Sequence, residues 1–521
     1  MARGAFAVSR AKVGLIPGGA GAVLVLALLF VPLAVVLLNA GLGPGEGRGL
    51  RAEDWSALRF TLMQAALSAV LSVLFALPVA RALARRRFPG RRIFVTLTGA
   101  PFLLPVTVAV MGLLAVFGLR GWVNDLLALA GLGPWRIYGL PGVLLAHVFF
   151  NMPLAVRMLL QGWQAIPAER FRLAASLDLP PSQVFRLLEW PMLRQVVPGA
   201  LAAIFAICLG SFSVALILGG GPRATTLELA IYQAFLFDFD LGRAAVLAAL
   251  QAGVVATAAA LVLGLARADG SGAGLDRAMA RRDVPGGALR IWDAGWLLAA
   301  GAFLVLPLLA LVLDGIGGLA DLPARIWPAM GNSLAVSLGC AVTTCLLALA
   351  LSAPMARWAE VVGLMPLALS SLVLGTGFFL ILNPVIAPGR LALPVTLVVN
   401  TLMALPFCLR ILAPAWARAE ADHGRLADQL GLRGLSRLRW LLLPRIRGPL
   451  GFAAGIAAAL SMGDLGVITL FGSPERETLP LLMYRLMGAY RTDAAAGAAL
   501  VLLAMSFGIF WIFDRAGGRN A

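Results

Sequence analysis

NMPLAVRMLLQGWQAIPAERFRLAASLDLPPSQVFRLLEWPMLR, at residues 151–194, returns in altered form as ALPFCLRILAPAWARAEADHGRLADQLGLRGLSRLRWLLLPRIR at residues 404–447. One constant offset in numbering, which takes position 151 to position 404, aligns the two stretches throughout. The identical pairs include Pro153 and Pro406, Arg157 and Arg410, Trp163 and Trp416, Arg172 and Arg425, and Pro191 and Pro444. Self-similarity at a fixed period indicates that one structural unit occurs twice in the chain.

The composition identifies lipid as the solvent of most of this chain. Of its 521 residues, 60% are hydrophobic and only 13% are charged, with a mean hydropathy of +0.91. A helix needs about 20 apolar residues to cross a bilayer, and about 12 segments meet that length. They lie near residues 20–40, 56–80, 93–117, 139–160, 195–218, 244–265, 292–313, 330–355, 361–382, 392–413, 450–471 and 494–513. We therefore predict an all-α polytopic membrane protein with two homologous six-helix halves.

The boundary between the halves falls in the polar stretch RADGSGAGLDRAMARRDVPGG at residues 267–287. Its glycines, serine and mixed charges are typical of a flexible linker. We therefore predict a first half at residues 1–266, a cytoplasmic linker at 267–290 and a second half at 291–521.

Positive charge predicts the orientation. Residues 81–92 carry six arginines, whereas the preceding loop near residues 41–55 balances two arginines against three acidic residues. Loops rich in Lys and Arg stay in the cytoplasm. With an even number of spans, both termini are predicted to be cytoplasmic in a bacterial inner membrane. The net charge of +17 thus reflects topology, and no DNA-binding pattern indicates a nucleic-acid partner.

The repeated stretch contains the longest predicted cytoplasmic loop of each half. In the first copy, helix-forming residues Arg172–Leu177 reach a break at 178–181, and a second short helix is predicted to end at Pro191. In the second copy the break begins at Gly431, and the second helix is predicted to end at Pro444. Such a protruding helix–turn–helix can seat in a groove on a soluble partner protein; the alternative is an amphipathic helix lying on the lipid surface. The central turn favours glycine because glycine allows φ > 0, and Asp178 is tolerable there.

These loops resemble the EAA loop of ABC importer permeases. Ala174 and Ala427 hold an alanine position of that pattern, and Gly431 and Leu443–Pro444 match it. Two features depart from it. Arg172 and Arg425 stand where the family usually has Glu, and Asp178 replaces the Gly. The resemblance implies that both loops contact an ATPase.

That ATPase must be a separate polypeptide. A phosphate-binding P-loop has the pattern GxxxxGK[ST], whereas Lys12, the chain's only lysine, is followed by Val13.

Two further stretches narrow the resemblance: residues 211–251 and residues 461–500. With the paired loops they look like thiamine/thiamine pyrophosphate ABC transporter permeases. This resemblance implies a periplasmic thiamine-binding protein, two copies of an ATPase subunit, and import of thiamine or its phosphates. Fused permeases for ferric iron or another small solute share the architecture. An ion-coupled secondary transporter is a further alternative, but it would give the paired loops no role.

A substrate path is predicted beside Asp464, a carboxylate inside the apolar run 452–471, because an intramembrane carboxylate is costly and would attract a cation. Its alternative role is structural, satisfied by backbone or by an arginine. Ser211 occupies the equivalent place in the first half. We expect His147 to be a hydrogen-bonded packing residue. The acidic loop with Glu228, Asp238 and Asp240 is expected to be a solvated surface; the alternative is that it attracts a cation or binds the substrate-binding protein. The four cysteines are expected to be buried. No cluster of ionisable residues predicts a metal site, a cofactor or an enzyme.

Overall fold

A computed structural model describes residues 2–42, 50–265 and 287–518, apart from residues 100, 102, 220, 222, 223 and 355. Its first twelve α-helices are Ala2–Leu42 (α1), Ala52–Arg85 (α2), Arg91–Leu97 (α3), Val106–Phe117 (α4), Trp122–Leu129 (α5), Leu140–Ala165 (α6), Ala168–Ser176 (α7), Pro181–Val184 (α8), Trp190–Leu209 (α9), Phe212–Leu218 (α10), Leu227–Leu236 (α11) and Leu241–Leu265 (α12). The next ten are Ala288–Gly318 (α13), Ile326–Ser352 (α14), Arg357–Leu364 (α15), Ser371–Leu382 (α16), Pro388–Gln429 (α17), Gly434–Arg437 (α18), Leu443–Met462 (α19), Ile468–Phe471 (α20), Leu479–Gly488 (α21) and Thr492–Gly518 (α22).

The predicted fold class is confirmed. Within the described ranges, ten helices are long and apolar enough to cross a membrane, or eleven if α15 and α16 form one bent span. The chain is thus an all-α polytopic membrane protein, and the number of spans is consistent with the predicted dozen. The four cysteines are free and buried.

Four spans that the hydropathy pattern predicts as single helices are broken. They are the segments 93–117, 195–218, 361–382 and 450–471. Gly210 ends α9 and Gly463 ends α19, each in mid-segment. Pro105 precedes α4, and the turn containing Pro366 bends α15 by 88° from α16. Glycine and proline interrupt the helical hydrogen-bond ladder, which a membrane protein tolerates where the freed backbone groups are enclosed by protein.

The repeat is visible in the bounds of the elements. A short π-helix at Phe185–Glu189 joins α8 to α9, and another at Leu438–Leu442 joins α18 to α19. The offset that aligns the two sequence stretches also takes both ends of all three elements in the first set to those of the second. This agreement supports two copies of one unit. Most of the predicted linker lies outside the described residues, and α13 begins at Ala288, before the linker's predicted end.

The first helix of each predicted half packs on the other half. Helix α13 lies against α2 and α4, and α1 lies against α14 and α16. Glycines permit the closest approaches: a Cβ on Gly112 of α4 would lie 2.4 Å from the carbonyl oxygen of Pro307, and one on Gly377 of α16 would lie 2.5 Å from that of Pro32. The halves are therefore interlocked, and Arg86, which directly follows α2, adds an ion pair from its Nε atom to Oδ2 of Asp293 in α13 at 2.7 Å.

Candidate functional site: paired loops and a central path

The two EAA-like loops, residues 168–189 and 421–442, turn in the same way. Asp178 has φ +48° and Gly431 has φ +67°, so both adopt the left-handed conformation. The N–H of Leu179 donates to the carbonyl of Ala174 at 3.1 Å, and that of Leu432 donates to the carbonyl of Ala427 at 2.9 Å. These are the six-residue bonds of a Schellman motif, which closes a helix end through a left-handed residue. Both alanines are buried beneath their turns, whereas Arg172 and Arg425 are exposed.

The second short helix of each loop does not end at its proline, which corrects the sequence prediction. The chain runs through the π-helix directly into α9 or α19, and Pro191 and Pro444 are early residues of those helices. A π-helix bonds five residues back, as Trp190 N–H does to the Phe185 carbonyl. This wider turn accommodates a proline, which has no N–H and would clash with the carbonyl four residues earlier. Each loop is thus continuous with a membrane helix and can transmit movement to it.

The loops differ in how they leave the preceding helix. In the first half α6 ends at Ala165, because Pro167 holds Ile166 in an extended conformation with ψ 121°. In the second half Glu420 replaces that proline, and α17 continues for 42 residues to Gln429.

Each loop exposes three large apolar side chains at equivalent positions, which the sequence analysis missed. They are Leu173, Leu177 and Leu187 in the first loop, and Leu426, Leu430 and Trp440 in the second. All six are more than half exposed. Exposed apolar patches of this kind mark sites of contact with another protein or with the membrane surface. The signal was present in the sequence, because the offset between the two copies pairs these positions.

Buried and half-buried charges fix each loop. Glu189 is fully buried, and its carboxylate lies 2.8 Å from Arg81 and 3.8 Å from Arg85 of α2. In the second loop Arg437 binds Glu420, and it also binds Asp428 at 2.7 Å. The first loop is therefore attached to a neighbouring span, whereas these ion pairs of the second loop join Arg437 of α18 to α17, the helix that leads into that loop.

Three of the broken spans adjoin at their breaks, because a Cβ on Gly463 would lie 2.7 Å from Pro105 and one on Gly466 would lie 2.9 Å from Ser371. Both predicted path residues lie in breaks. Asp464 stands between α19 and α20, not inside a helix as the sequence predicted, because Gly463 ends α19. Its Oδ1 atom accepts the N–H of Gly466 at 3.2 Å, while Oδ2 is buried and has no hydrogen-bond partner among the described residues. Ser211 stands at the equivalent break and bonds His147 Nε2 at 2.6 Å.

His147 is a hydrogen-bonded packing residue, as predicted. It is buried, and its Nδ1 atom bonds the Ser68 hydroxyl at 2.9 Å. The structure therefore places Ser211 in a polar chain with His147 and Ser68. The structure shows no direct hydrogen bond between Ser211 and Asp464 among the described residues.

The prediction of a solvated acidic loop is wrong for Glu228. Asp238 and Asp240 are near the surface, where they lie 3.2 Å from Arg243 and 3.8 Å from Arg51. Glu228 instead lies in the first turn of α11 and is only 2% exposed. The residues next to Glu228 in the sequence do not indicate its burial, because the surfaces that cover it come from distant segments of the chain.

A bundle of apolar spans broken at its centre, with paired EAA-like loops, defines a transport permease that crosses the membrane many times. Residues 72–281 match the family model for the inner membrane component of binding-protein-dependent transport systems. The thiamine transport system permease protein ThiP of Salmonella typhimurium is 39% identical, over 97% of both chains. Those of Escherichia coli K12 and Brucella abortus are 40% and 39% identical, over 97% and 93% of this chain and 97% and 92% of theirs. The chain belongs to this family of thiamine transport permeases, which are multi-pass inner-membrane proteins.

Proposed function

We propose that this chain imports thiamine, its phosphates, or both across the bacterial inner membrane, using ATP hydrolysed by a separate subunit. The observation that carries the proposal is the similarity to thiamine transport permeases over nearly the whole chain. The broken spans add physical support, because a transport path needs enclosed backbone and polar groups at membrane depth.

Two copies of an ABC ATPase subunit are the proposed partners of the two loops. Leu177 and Leu430, each directly before the left-handed residue of its loop, offer two similar apolar contacts to two identical subunits. Each loop is continuous with α9 or α19. When the two ATPase subunits close on ATP, their movement can therefore pass through these helices to the breaks at Gly210 and Gly463. The loops, the linker and both termini are then cytoplasmic.

A periplasmic thiamine-binding protein is the proposed donor of substrate. The substrate path passes the breaks that contain Ser211 and Asp464. The proposed units are a first half at residues 1–266, a linker at 267–290 and a second half at 291–521, interlocked through α1 and α13.

Reconstitution tests the proposal directly. Vesicles are prepared that contain this chain and its ATPase. They should transport labelled thiamine only when ATP is on the same side of the membrane as the ATPase and thiamine-loaded binding protein is on the opposite side. Ferric iron and sulfate presented with their own binding proteins serve as controls. Absence of thiamine uptake by an assembled, ATP-hydrolysing complex would reject thiamine as the substrate.

A further inference from the structure

Two aromatic residues away from the loops and the path occupy the left-handed backbone region. Across the described ranges, the only non-glycine residues with positive φ are Asp178 of the first loop, Phe239 with φ +51° and Tyr490 with φ +58°. A bulky side chain is strained in this region, and such strain is found mainly at functional sites. Both aromatic side chains are also exposed, Phe239 by 80% and Tyr490 by 91%, so packing within the chain does not explain them.

The two aromatics hold equivalent positions in the two halves. Each follows a short, mostly buried helix, α11 or α21, and lies two residues before the last helix of its half, α12 or α22. The residue after each aromatic closes the turn. The N–H of Asp240 donates to the carbonyl of Ala234 at 2.9 Å, and that of Arg491 donates to the carbonyl of Leu486 at 3.0 Å. Glycine would form such a turn without strain, so two aromatics in this place indicate a use for the exposed ring.

The first aromatic lies at the opposite end of α2 from the first loop. Arg243, in the first turn of α12, lies 2.8 Å from Asp54 near the start of α2. Glu189 of the first loop lies 2.8 Å from Arg81 near the end of α2. At 1.5 Å per residue these two ends are about 40 Å apart, more than the roughly 30 Å of a bilayer core. Phe239 and the first loop are therefore on opposite sides of the membrane.

The second aromatic is related to the second loop in the same way. Tyr490 lies next to the start of α22, which has 27 residues and is therefore about 40 Å long. Near the far end of α22, the carbonyl of Ala516 accepts a hydrogen bond from Arg447 of α19, the helix that follows the second loop. Both aromatics thus lie on the membrane face opposite to the loops, which is the periplasmic face in the proposed topology.

The charges beside the first aromatic are mainly acidic. Four carboxylates share two arginines there; they belong to Glu53, Asp54, Asp238 and Asp240, paired with Arg51 and Arg243 at 2.8–3.8 Å. This surplus of negative charge repels anionic lipid headgroups and attracts a protein surface that carries lysine or arginine. Tyr490 is followed by one exposed arginine and one exposed aspartate, Arg491 and Asp493, whose charges balance.

We infer that Phe239 and Tyr490 are the two anchors on which the periplasmic thiamine-binding protein docks, with basic side chains of that protein around Phe239. An aromatic side chain that fills a pocket of the partner is a common interface hot spot. The fixed left-handed turn presents each ring before the partner arrives, so less conformational freedom is lost on docking. Two anchors set the position of the partner, and the acidic surplus at one of them sets its orientation. The inference rests on the proposed function for the identity of the partner.

Binding measured in detergent tests this inference without a bilayer and without transport. The purified permease–ATPase complex is titrated with thiamine-loaded binding protein, and the dissociation constant is recorded. Phe239→Ala and Tyr490→Ala should each weaken binding by about tenfold or more, as expected for the loss of an aromatic anchor. Phe239→Tyr and Tyr490→Phe, which keep an aromatic ring, are the matched controls and should bind like the wild type.

Glycine variants separate docking from structure. Phe239→Gly and Tyr490→Gly remove the ring and also relieve the strain, because glycine adopts positive φ freely. Their abundance and melting temperature should equal or exceed those of the wild type, while their binding of the loaded protein should fall as in the alanine variants.

The acidic surplus has its own test. Glu53→Gln removes the most exposed of the four carboxylates, and it should weaken binding and make binding less sensitive to salt. Asp514→Asn, which removes an exposed carboxylate at the other end of α22, should leave both unchanged.

The possible results distinguish the anchors from the proposed partner. If both glycine variants bind the loaded protein as tightly as the wild type does, the rings lie at the lipid interface and the inference is wrong. A lower abundance or melting temperature of the glycine variants would assign the aromatics a structural role and would also overturn it. If the wild-type complex itself does not bind the thiamine-loaded protein, the proposed partner is rejected, and the anchors with it.

Discussion

Asp178 and Gly431 occupy equivalent positions in the two copies of the repeat and adopt the same left-handed backbone conformation, with φ +48° and +67°. In each case the residue after it donates its N–H to a buried alanine carbonyl, so the turn geometry is the same although the side chains differ. Aspartate enters this region more readily than most residues, and glycine enters it freely. The turn therefore depends on backbone conformation, since in the described part of the chain no atom outside Gly431 and its two flanking residues lies within 4 Å of a Cβ placed on Gly431.

This geometry predicts opposite results for two substitutions at one position. Gly431→Val should strain the turn by about 1–2 kcal/mol, because a β-branched residue resists the left-handed region. We expect normal membrane abundance, slower thiamine uptake and weaker coupling of ATP hydrolysis to transport. Gly431→Asp is the matched control and should retain uptake, as should Asp178→Gly. Equal uptake by the valine and aspartate variants would show that the conformation of this turn does not matter for coupling.

The predicted orientation is testable by labelling. Single cysteines at positions 178 and 431, placed in a background without the four buried native cysteines, should react with an impermeant reagent only after the membrane is opened. Tyr490→Cys should react in sealed cells, because Tyr490 is exposed near the start of α22 and that end of the helix is predicted to be outside. The other end of α22 is predicted to be cytoplasmic, since Ala516 there accepts a hydrogen bond from Arg447 of α19, which follows the second loop. Labelling of position 178 or 431 in sealed cells would reverse the proposed topology.

The apolar side chains of the loops should hold the ATPase. Burying a leucine contributes about 1.5–3 kcal/mol, so Leu177→Ser or Leu430→Ser should weaken ATPase binding roughly tenfold or more. Co-purification and titration of the detergent-solubilised permease with the ATPase measure this effect. Tyr490→Asn removes a more exposed side chain away from the loops and should bind the ATPase normally. If these side chains contact only lipid, both leucine variants will bind the ATPase as tightly as the wild type, and the prediction is wrong.

The sequence allowed prediction of those features that depend on residues close together in the chain. The turns at Asp178 and Gly431 were predictable because a left-handed residue leaves a glycine or aspartate signature in both copies. The breaks at Gly210 and Gly463 were not, because hydropathy averaged over a span does not register the two non-helical residues between α9 and α10 or the five between α19 and α20. The burial of Glu228 was missed for a different reason: Ser370, which lies beside it, belongs to the other half of the chain. Likewise, the local sequence around Glu189 does not indicate its pairing with a distant arginine of α2.

The buried ion pair of the first loop yields the last prediction. Glu189→Gln removes the carboxylate that Arg81 and Arg85 both approach, and breaking a buried pair costs about 3–5 kcal/mol. We expect a lower melting temperature of the detergent-solubilised protein and loss of ATPase binding through the first loop. Arg81→Gln should cost less, because the Arg81 side chain is partly exposed. Glu169→Gln, an exposed carboxylate on α7, is the control and should melt with the wild type. If Glu189→Gln has the same melting temperature as the wild type, the ion pair does not anchor the loop. If the melting temperature falls but ATPase binding is unchanged, the ion pair stabilises the protein without positioning the loop for the ATPase.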